Sequence, residues 1–541
     1  MEPSEQTKSL SLPERPTYIV ALKKPTRTKV SILAILPSSM QERISEAVEA
    51  IHASRKILAV SHIDADGISA LSIVVKMLER EDKDVVWRNI HQLNSETIID
   101  VEELIKENKP DLLIFSDLGT GQMGLIQESI VAKSSVGRII VLDHHLPHEV
   151  VEIEGIVDSI IEINPNRHEL DGGYDISGAG IAFLVAYALS KENVDLTELA
   201  IVGATGDLQD YYGKGFQGIN QEIVQLGEES GYIKVGKDLT FFGINTRPLP
   251  YLLEYATEPY LPGITGNEAA CYGVFEQLKI PVRDSDDNWR IWAGLPKTEK
   301  QVVIQYLIDY IIEVYGDPRI ATGIVGDVIT LIGRPVETEM RSAKEFSTLL
   351  NACGRNRQPH VGVRICLGDE DAYQEGTTLL QQHRANLAAA LRRLEENKYT
   401  EMEGMYVVRD PLTSDTIIGI VIGMAQGSRI VPIDKPIIGV STNSTEESQL
   451  IKISGRARQS LVNKGINLKE SFVRVGEQIN EAIGREVVEA GGHPMAAGAF
   501  VHADYIDDYL DLVSIDLVLS RILQRKDTLM KEIIEKKQEG G

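Results

Sequence analysis

Two runs restrict what this chain can fold into. Ile57-Leu58-Ala59-Val60 leads into Ser61-His62-Ile63-Asp64-Ala65-Asp66-Gly67, and Ile139-Ile140-Val141-Leu142 leads into Asp143-His144-His145. In each, a short apolar segment stops abruptly at acidic and imidazole side chains. Leu112-Leu113-Ile114-Phe115-Ser116-Asp117 repeats the arrangement. Leu199-Ala200-Ile201-Val202, followed by Ala204-Thr205-Gly206-Asp207, repeats it more loosely. Short continuous apolar runs fit strands buried on both faces, and open α/β sheets bind ligands beyond the carboxyl ends of their strands. Four acidic clusters at such ends point to one shared cation site and to a metal-dependent hydrolase.

Helical spacing alternates with these strands: about Ser39 to Ser54, after Asp66-Gly67, Ile98 to Ile105, and about Gln122 to Val131. A short strand is expected at Val85-Val86-Trp87. Such alternation predicts a mostly parallel sheet with helices on both faces. Helical patterning returns at Lys300 to Tyr315 and at Gln374 to Asn397, the latter rich in strong helix formers and suited to a strut between lobes. Strands at Met405 to Val408 and Pro436 to Val440 then flank a helix near Thr416 to Met424. The expected α/β architecture is a leader and N-terminal helix (1–45), a mostly parallel catalytic domain (46–330), a helical connector (331–402), a smaller α/β domain (403–519) and a charged tail (520–541).

Composition narrows the function. A formal net charge of −25 excludes a general nucleic-acid coating protein but not an enzyme that meets phosphate through a local basic groove and metal ions. The three cysteines, Cys271, Cys353 and Cys366, lie far apart, which argues against a zinc ribbon and fits a reducing cytoplasm. No apolar run approaches the roughly 20 residues of a membrane span. Aromatic residues, 6% of the chain, form no evident base-stacking stripe along the sequence.

Side chains two apart at a strand end point the same way, so His62, Asp64 and Asp66 can face one ion or two adjacent ions. Helix capping by Asp64 or Asp66 is an equally ordinary use of a carboxylate there, but it leaves His62 unexplained. In Asp143-His144-His145 the adjacent rings diverge, so one can ligate metal while the other faces substrate or a supporting carboxylate. Asp117 and Asp207 gain meaning only jointly with these clusters. Carboxylate and imidazole without thiolate suit Mn²⁺ or Mg²⁺. Six candidate ligands exceed one ion's needs, and a metal pair needs a bridging carboxylate, for which Asp117 is best placed. That chemistry is phosphoester or phosphoanhydride hydrolysis. Late in the chain, Gly491-Gly492-His493 can form a phosphate nest, and Ser454-Gly455-Arg456 ends a strand with a guanidinium suited to bidentate phosphate contact.

In this order the residues resemble the DHH phosphoesterase superfamily: His62-x-Asp64-x-Asp66-Gly67, Asp117, Asp143-His144-His145, Asp207, then Gly491-Gly492-His493 as in its DHHA1-type substrate-binding domain. The length, the Ser454-Gly-Arg456 element and the segment from Tyr255 to Gly266 resemble the RecJ-like single-strand nucleases, archaeal branch. The resemblance implies two Mn²⁺ or Mg²⁺ ions, one held by His62, Asp64 and Asp117, the other by Asp66, Asp117, His144 and Asp207. It places His145 beside the scissile phosphate with Asp143 supporting it, and Arg456 and His493 on the substrate across the cleft. It implies an exonuclease on single-stranded DNA or RNA in replication or repair, with a GINS-type replication complex as partner. Two other activities occur in the same superfamily: a phosphodiesterase for short oligonucleotides or nucleotides, and a non-catalytic replication-fork scaffold.

Overall fold

The computed structural model describes residues 31–134, 136–147, 159–210, 215–256, 261–316, 318, 321, 323–427, 430–441 and 449–539, with side chains through 526. Most of the expected leader and part of the Tyr255 to Gly266 segment lie outside the described residues.

The four apolar strand runs form strands, save the last. β1 (Lys56–His62), β2 (Asp84–Ile90), β3 (Leu112–Ser116), β4 (Arg138–Leu142) and β5 (Ile160–Ile163) make one sheet in the order β2-β1-β3-β4-β5, parallel throughout. The chain departs from β1 to β2 on one side and continues through β3 on the other. The crevice at this reversal, beyond the carboxyl ends of β1 and β3, is where a doubly wound sheet receives its ligand. Leu112 to Ser116 are all buried, because helices cover both faces of the sheet.

Leu199 to Val202 is the exception. It lies in the helix Thr197–Gly206, buried on every side, and Asp207 caps its C-terminus. A short run apolar all round reads alike as a buried strand or a buried helix. Here the helix packs on Ala65–Arg80 and Gly178–Leu189, where close helix contact suits its small residues Ala200, Gly203 and Ala204.

A second unit follows. β6 (Ile233–Leu239) and β7 (Val325–Leu331) pair antiparallel, and the chain between them builds its own core around Trp292, Phe275 and Leu307. The helices Ala343–Arg355 and Pro359–Leu367 return to the first core. The helix Glu370–Asn397 runs from that core toward the second lobe, where Leu394 packs beside Tyr406 and Ile418.

The second lobe is a six-stranded sheet: β8 (Thr400–Glu401), β9 (Tyr406–Arg409), β10 (Ile437–Val440), β11 (Leu450–Arg456), β12 (Val488–His493) and β13 (Ala496–His502), in the order β12-β13-β11-β10-β9-β8. Leu468–Ile483 covers it with Phe472 at the centre. The last helix, Ile506–Glu539, passes unbroken through the expected boundary at 519. Phe472 is wholly buried, and its carbonyl accepts a hydrogen bond from the Tyr509 hydroxyl at 3.1 Å. Phe472→Ala is expected to cost this lobe about 3–5 kcal/mol, seen as faster amide exchange across β11 and β13 while β1 and β3 keep their protection.

Candidate metal centre

Each cluster arrives at the crevice for a local reason. His62 is the last residue of β1, and Asp64 caps the helix Ala65–Arg80, its Oδ1 accepting from Gly67 N at 3.0 Å. Capping uses one oxygen only. The other, Oδ2, lies 3.0 Å from His62 Nδ1. Asp66, wholly buried in the first turn, accepts from Gly178 N at 2.7 Å and Ala179 N at 3.0 Å. It thus occupies the positive N-terminus of the helix Gly178–Leu189, which holds a carboxylate there.

Asp117 follows β3 with φ 57°, a left-handed conformation unfavourable for a side chain bearing Cβ. It puts the carboxylate at the middle of the crevice, Oδ2 3.6 Å from His62 Nδ1 and Oδ1 3.3 Å from His144 Nε2. His144 Nε2 also lies 3.1 Å from Asp207 Oδ2 and 3.7 Å from Asp66 Oδ2. Its Nδ1–H donates to Gly172 O at 2.6 Å, which fixes the ring and aims Nε2 inward. His145, half exposed, donates from Nδ1 to Asp143 Oδ1 at 2.8 Å, while Asp143 Oδ2 accepts from Thr120 N at 2.9 Å.

Three overlapping groups among the described residues could hold a cation, and all include Asp117: His62, Asp64 and Asp117; Asp66, Asp117, His144 and Asp207; and Asp117, His144 and His145. Buried polar atoms are nearly always hydrogen-bonded, yet both Asp117 oxygens and His144 Nε2 are buried without a hydrogen bond of acceptable geometry. Such orphaned ligand atoms, converging at the sheet's ligand crevice, are the pattern a divalent cation completes. The residues present therefore fit a pair of divalent cations, which would share Asp117.

The electrostatics agree. Burial, then Asp117 and Asp207, push the Asp66 carboxyl well above its ordinary value, and burial raises Asp207 too. Burial opposes ionisation of Asp64 and Asp143 as well, but His62 holds the first and His145 the second below the usual carboxylate range. Burial would lower the His62 and His144 imidazoles; the carboxylates around them raise both.

The second lobe supplies the opposite wall. His493 ends β12, where its partial desolvation and then the charges of His145 and His144 hold its imidazole below the ordinary value. Arg456 ends β11; a Cβ at Gly419 would lie 2.9 Å from its Nη2, so glycine there makes room for the guanidinium. Gly491 and Gly492, expected from the sequence to form a phosphate nest, pair instead with Gly498 and Ala497 in the β12–β13 ladder. Gly492, at φ 126°, still needs glycine.

Several residues escaped the sequence reading. A Cβ at Gly178 would sit 2.9 Å from Asp117 Cβ, and one at Gly203 would sit 2.3 Å from Asp66 Oδ1. Both glycines let helices approach the carboxylates, and no local motif marks them. Asn164 Nδ2 donates to His145 O at 2.9 Å; Gln209 Nε2 donates to Gly172 O at 2.9 Å. Arg355 and Lys452 also border the cleft, and neither makes an ion pair among the described residues. Lys452 lies 4.1 Å above the Phe500 ring, its ammonium pushed down to about 8 by burial. Gln92 donates to Glu489 at 2.8 Å and joins the lobes beside it.

The comparisons fall in line with this architecture. Residues 56–206 match the DHH family N-terminal domain and residues 241–320 the DHH-CID domain. A Methanocaldococcus jannaschii protein, described as uncharacterized, is 30% identical over 472 residues, covering 87% of this chain and 94% of that protein. The single-stranded-DNA-specific exonuclease RecJ of Bacillus subtilis is 29% identical over 199 residues, 35% of this chain and 23% of RecJ. Among solved structures, RecJ of Thermus thermophilus in complex with Mn²⁺ has a TM-score of 0.54 at 18% identity, covering 90% of this chain and 56% of that one. CDC45 of Entamoeba histolytica has a TM-score of 0.58 at 13% identity, covering 89% and 99%. The match thus spans under a quarter of the Bacillus RecJ and little over half of the Thermus one. The chain belongs to the DHH superfamily and is one of its RecJ-like members. No described helix is long and apolar enough to cross a membrane.

If Asp117 holds two cations, Mn²⁺ at 100 times its Kd stabilises the protein by about 2.7 kcal/mol for each site filled. Asp117→Asn is expected to abolish the Mn²⁺-induced rise in Tm, measured by calorimetry with and without EDTA, while leaving the secondary structure intact.

Proposed function

We propose that this protein is a two-metal-ion phosphodiesterase that hydrolyses single-stranded DNA or RNA from an end. The observation that carries the reading is the Asp117 carboxylate, buried without a hydrogen bond of acceptable geometry and shared by all three candidate ligand groups, with Arg355, Lys452 and His493 nearby. His62, Asp64 and Asp117 would hold one divalent cation and Asp66, Asp117, His144 and Asp207 the other. Mn²⁺ or Mg²⁺ bound there would supply a water of lowered pKa and neutralise charge on the phosphate and leaving oxygens.

The chain's own groups do the rest. Asp143, kept ionised, orients His145 through its Nδ1 and leaves Nε2 open to the cleft. Burial works against the imidazolium, but Asp143 raises it, so the ring can donate a hydrogen bond to a phosphate oxygen. Arg456, His493 and Lys452 restrain the strand's phosphates from the other side, and Arg355 does so from the first lobe beside Asp64. Substrate charge is thereby met locally by a chain that is acidic overall.

The similarity to CDC45 raises a scaffold as an alternative. It is disfavoured because a protein without catalysis has no use for a complete ligand set held at the cost of a strained Asp117. A short-oligonucleotide enzyme would need the same centre, so substrate length separates it from a strand exonuclease. The GINS-type partner and a place in replication or repair belong to this proposal through the family likeness alone.

End-labelled single-stranded DNA, single-stranded RNA, duplex and a dinucleotide, each with Mn²⁺, Mg²⁺ or EDTA, test the reading. Progressive shortening of the single strands is expected with metal and not with EDTA. His145→Ala is expected to lower kcat by about 10²–10⁴, and Asp143→Ala/His144→Ala to remove activity. Cleavage of the dinucleotide alone would transfer the assignment to the short-substrate enzyme. No cleavage despite bound Mn²⁺ would leave the scaffold.

A further inference from the structure

Aromatic side chains dispersed in the sequence meet on the unit inserted between β6 and β7. Tyr251 and Tyr255, one helical turn apart, stack with centroids 6.3 Å apart and planes at 25°. Trp289 lies 5.8 Å from Tyr251, and Tyr272 lies 6.4 Å from Trp289. Tyr255 is 54% exposed and the other three are half-buried, so faces remain open to solvent.

Guanidinium groups interleave with the rings. Arg283 sits 3.8 Å over Trp289. Arg247 lies 5.2 Å from the Tyr255 ring and 4.8 Å from that of Phe242, and Arg384, from the helix Glu370–Asn397, lies 4.7 Å from Phe242. Arg247 and Arg384 therefore flank one ring with like charges, and neither forms an ion pair among the described residues. Arg384 Nη2 is buried without a hydrogen-bond partner. The Arg247 guanidinium is pushed down to about 10 by burial and by Arg384, and so stays charged at neutral pH.

Acidic groups also face this cluster. Glu345 is pushed up to about 7 by burial, and its oxygens accept from Asn245 and Thr246. Glu339 accepts from the Tyr373 hydroxyl at 2.8 Å. Asp287 lies 3.3 Å from Arg283, and Glu254 and Glu268 border the tyrosines.

One helix runs from the row to the metal centre. The helix Ala343–Arg355 has Glu345 near its start, beside Arg247, and Arg355 at its end, close enough to Asp64 to depress that carboxyl. Ten residues of helix span about 15 Å. Between the two ends, His383 is buried next to Arg355 and Arg384.

We propose that this aromatic–arginine row binds the single strand of the substrate outside the active site, with Tyr255, Tyr251 and Trp289 stacking on bases and Arg247 and Arg384 holding phosphate. Stacking platforms interleaved with cations are how proteins hold single strands without reading sequence. The proposal rests on the nuclease reading of the metal centre and adds to it a preference for strands long enough to reach the row.

The test compares Tyr251→Ala/Tyr255→Ala, Arg247→Ala and Tyr255→Phe with the unaltered protein. Fluorescence anisotropy in EDTA reads affinity for a labelled 16-nucleotide strand and for the same strand made abasic. Hydrolysis of a dinucleotide with Mn²⁺ reads the active site. Each ring removed is expected to weaken binding of the 16-mer about 10-fold, with Tyr255→Phe near the unaltered protein, Arg247→Ala weakened on both strands, and dinucleotide hydrolysis unchanged. The abasic strand is expected to bind the double variant and the unaltered protein alike. A folded double variant, by circular dichroism, that binds the 16-mer as tightly as the unaltered protein overturns the row as a strand site, even if the enzyme cuts strands. Failure of the unaltered protein to cut anything overturns the nuclease reading instead, and the anisotropy still decides the row.

Discussion

Three carboxylates, Asp66, Asp117 and Asp207, converge on His144 Nε2 within 3.7 Å, and much of the molecule is arranged to tolerate them. Burial penalises charge and proximity penalises like charge, so such a cluster persists only where something compensates. A helix N-terminus takes Asp66, and left-handed backbone positions Asp117. Glycines at 178 and 203 let the helices close on the pair, and Gly172 O turns His144 inward. What these devices do not supply is partners for the Asp117 oxygens, which is why the arrangement is best understood around cations.

The second lobe carries charge of the other sign to the same place. Arg456, Lys452 and His493 come from β11 and β12, and Arg355 from a helix of the first lobe, so the cleft is basic although the chain is not. On the proposed reading, a phosphate chain there would meet these basic groups opposite the carboxylate centre, and bulk acidity elsewhere. On the proposed reading, this division would let a protein with a net charge of −25 handle a polyanion without retaining it nonspecifically.

Much of the centre was legible because its ligands sit at strand ends. A strand's apolar run and its abrupt polar stop occupy consecutive positions, so His62, Asp64, Asp66, Asp117 and Asp143 to His145 announce themselves. Asp207 was found for a reason that only partly holds: its apolar run is a helix, yet its position at the end of a buried element still delivers it to the crevice. Capping at Asp64 leaves its second oxygen beside His62, so capping does not exclude ligation there. The 491–492 glycines read as a phosphate nest because sequence cannot show that Gly498 and Ala497 lie opposite them.

The sequence by itself determined the parallel α/β lobe, the acidic and imidazole residues of its crevice and a second α/β lobe bearing Arg456 and His493. These depend on short-range periodicity, which a linear reading preserves. Tertiary structure alone decided that Asp117 lacks hydrogen bonds, that Gly178 and Gly203 must lack side chains, and that Arg355 and Lys452 face the cleft. It also decided that Tyr251, Tyr272, Trp289 and Arg384 share one surface. Each of those facts is a meeting of groups far apart in the chain, fixed by how helices and sheets pack and therefore absent from any window of neighbouring residues.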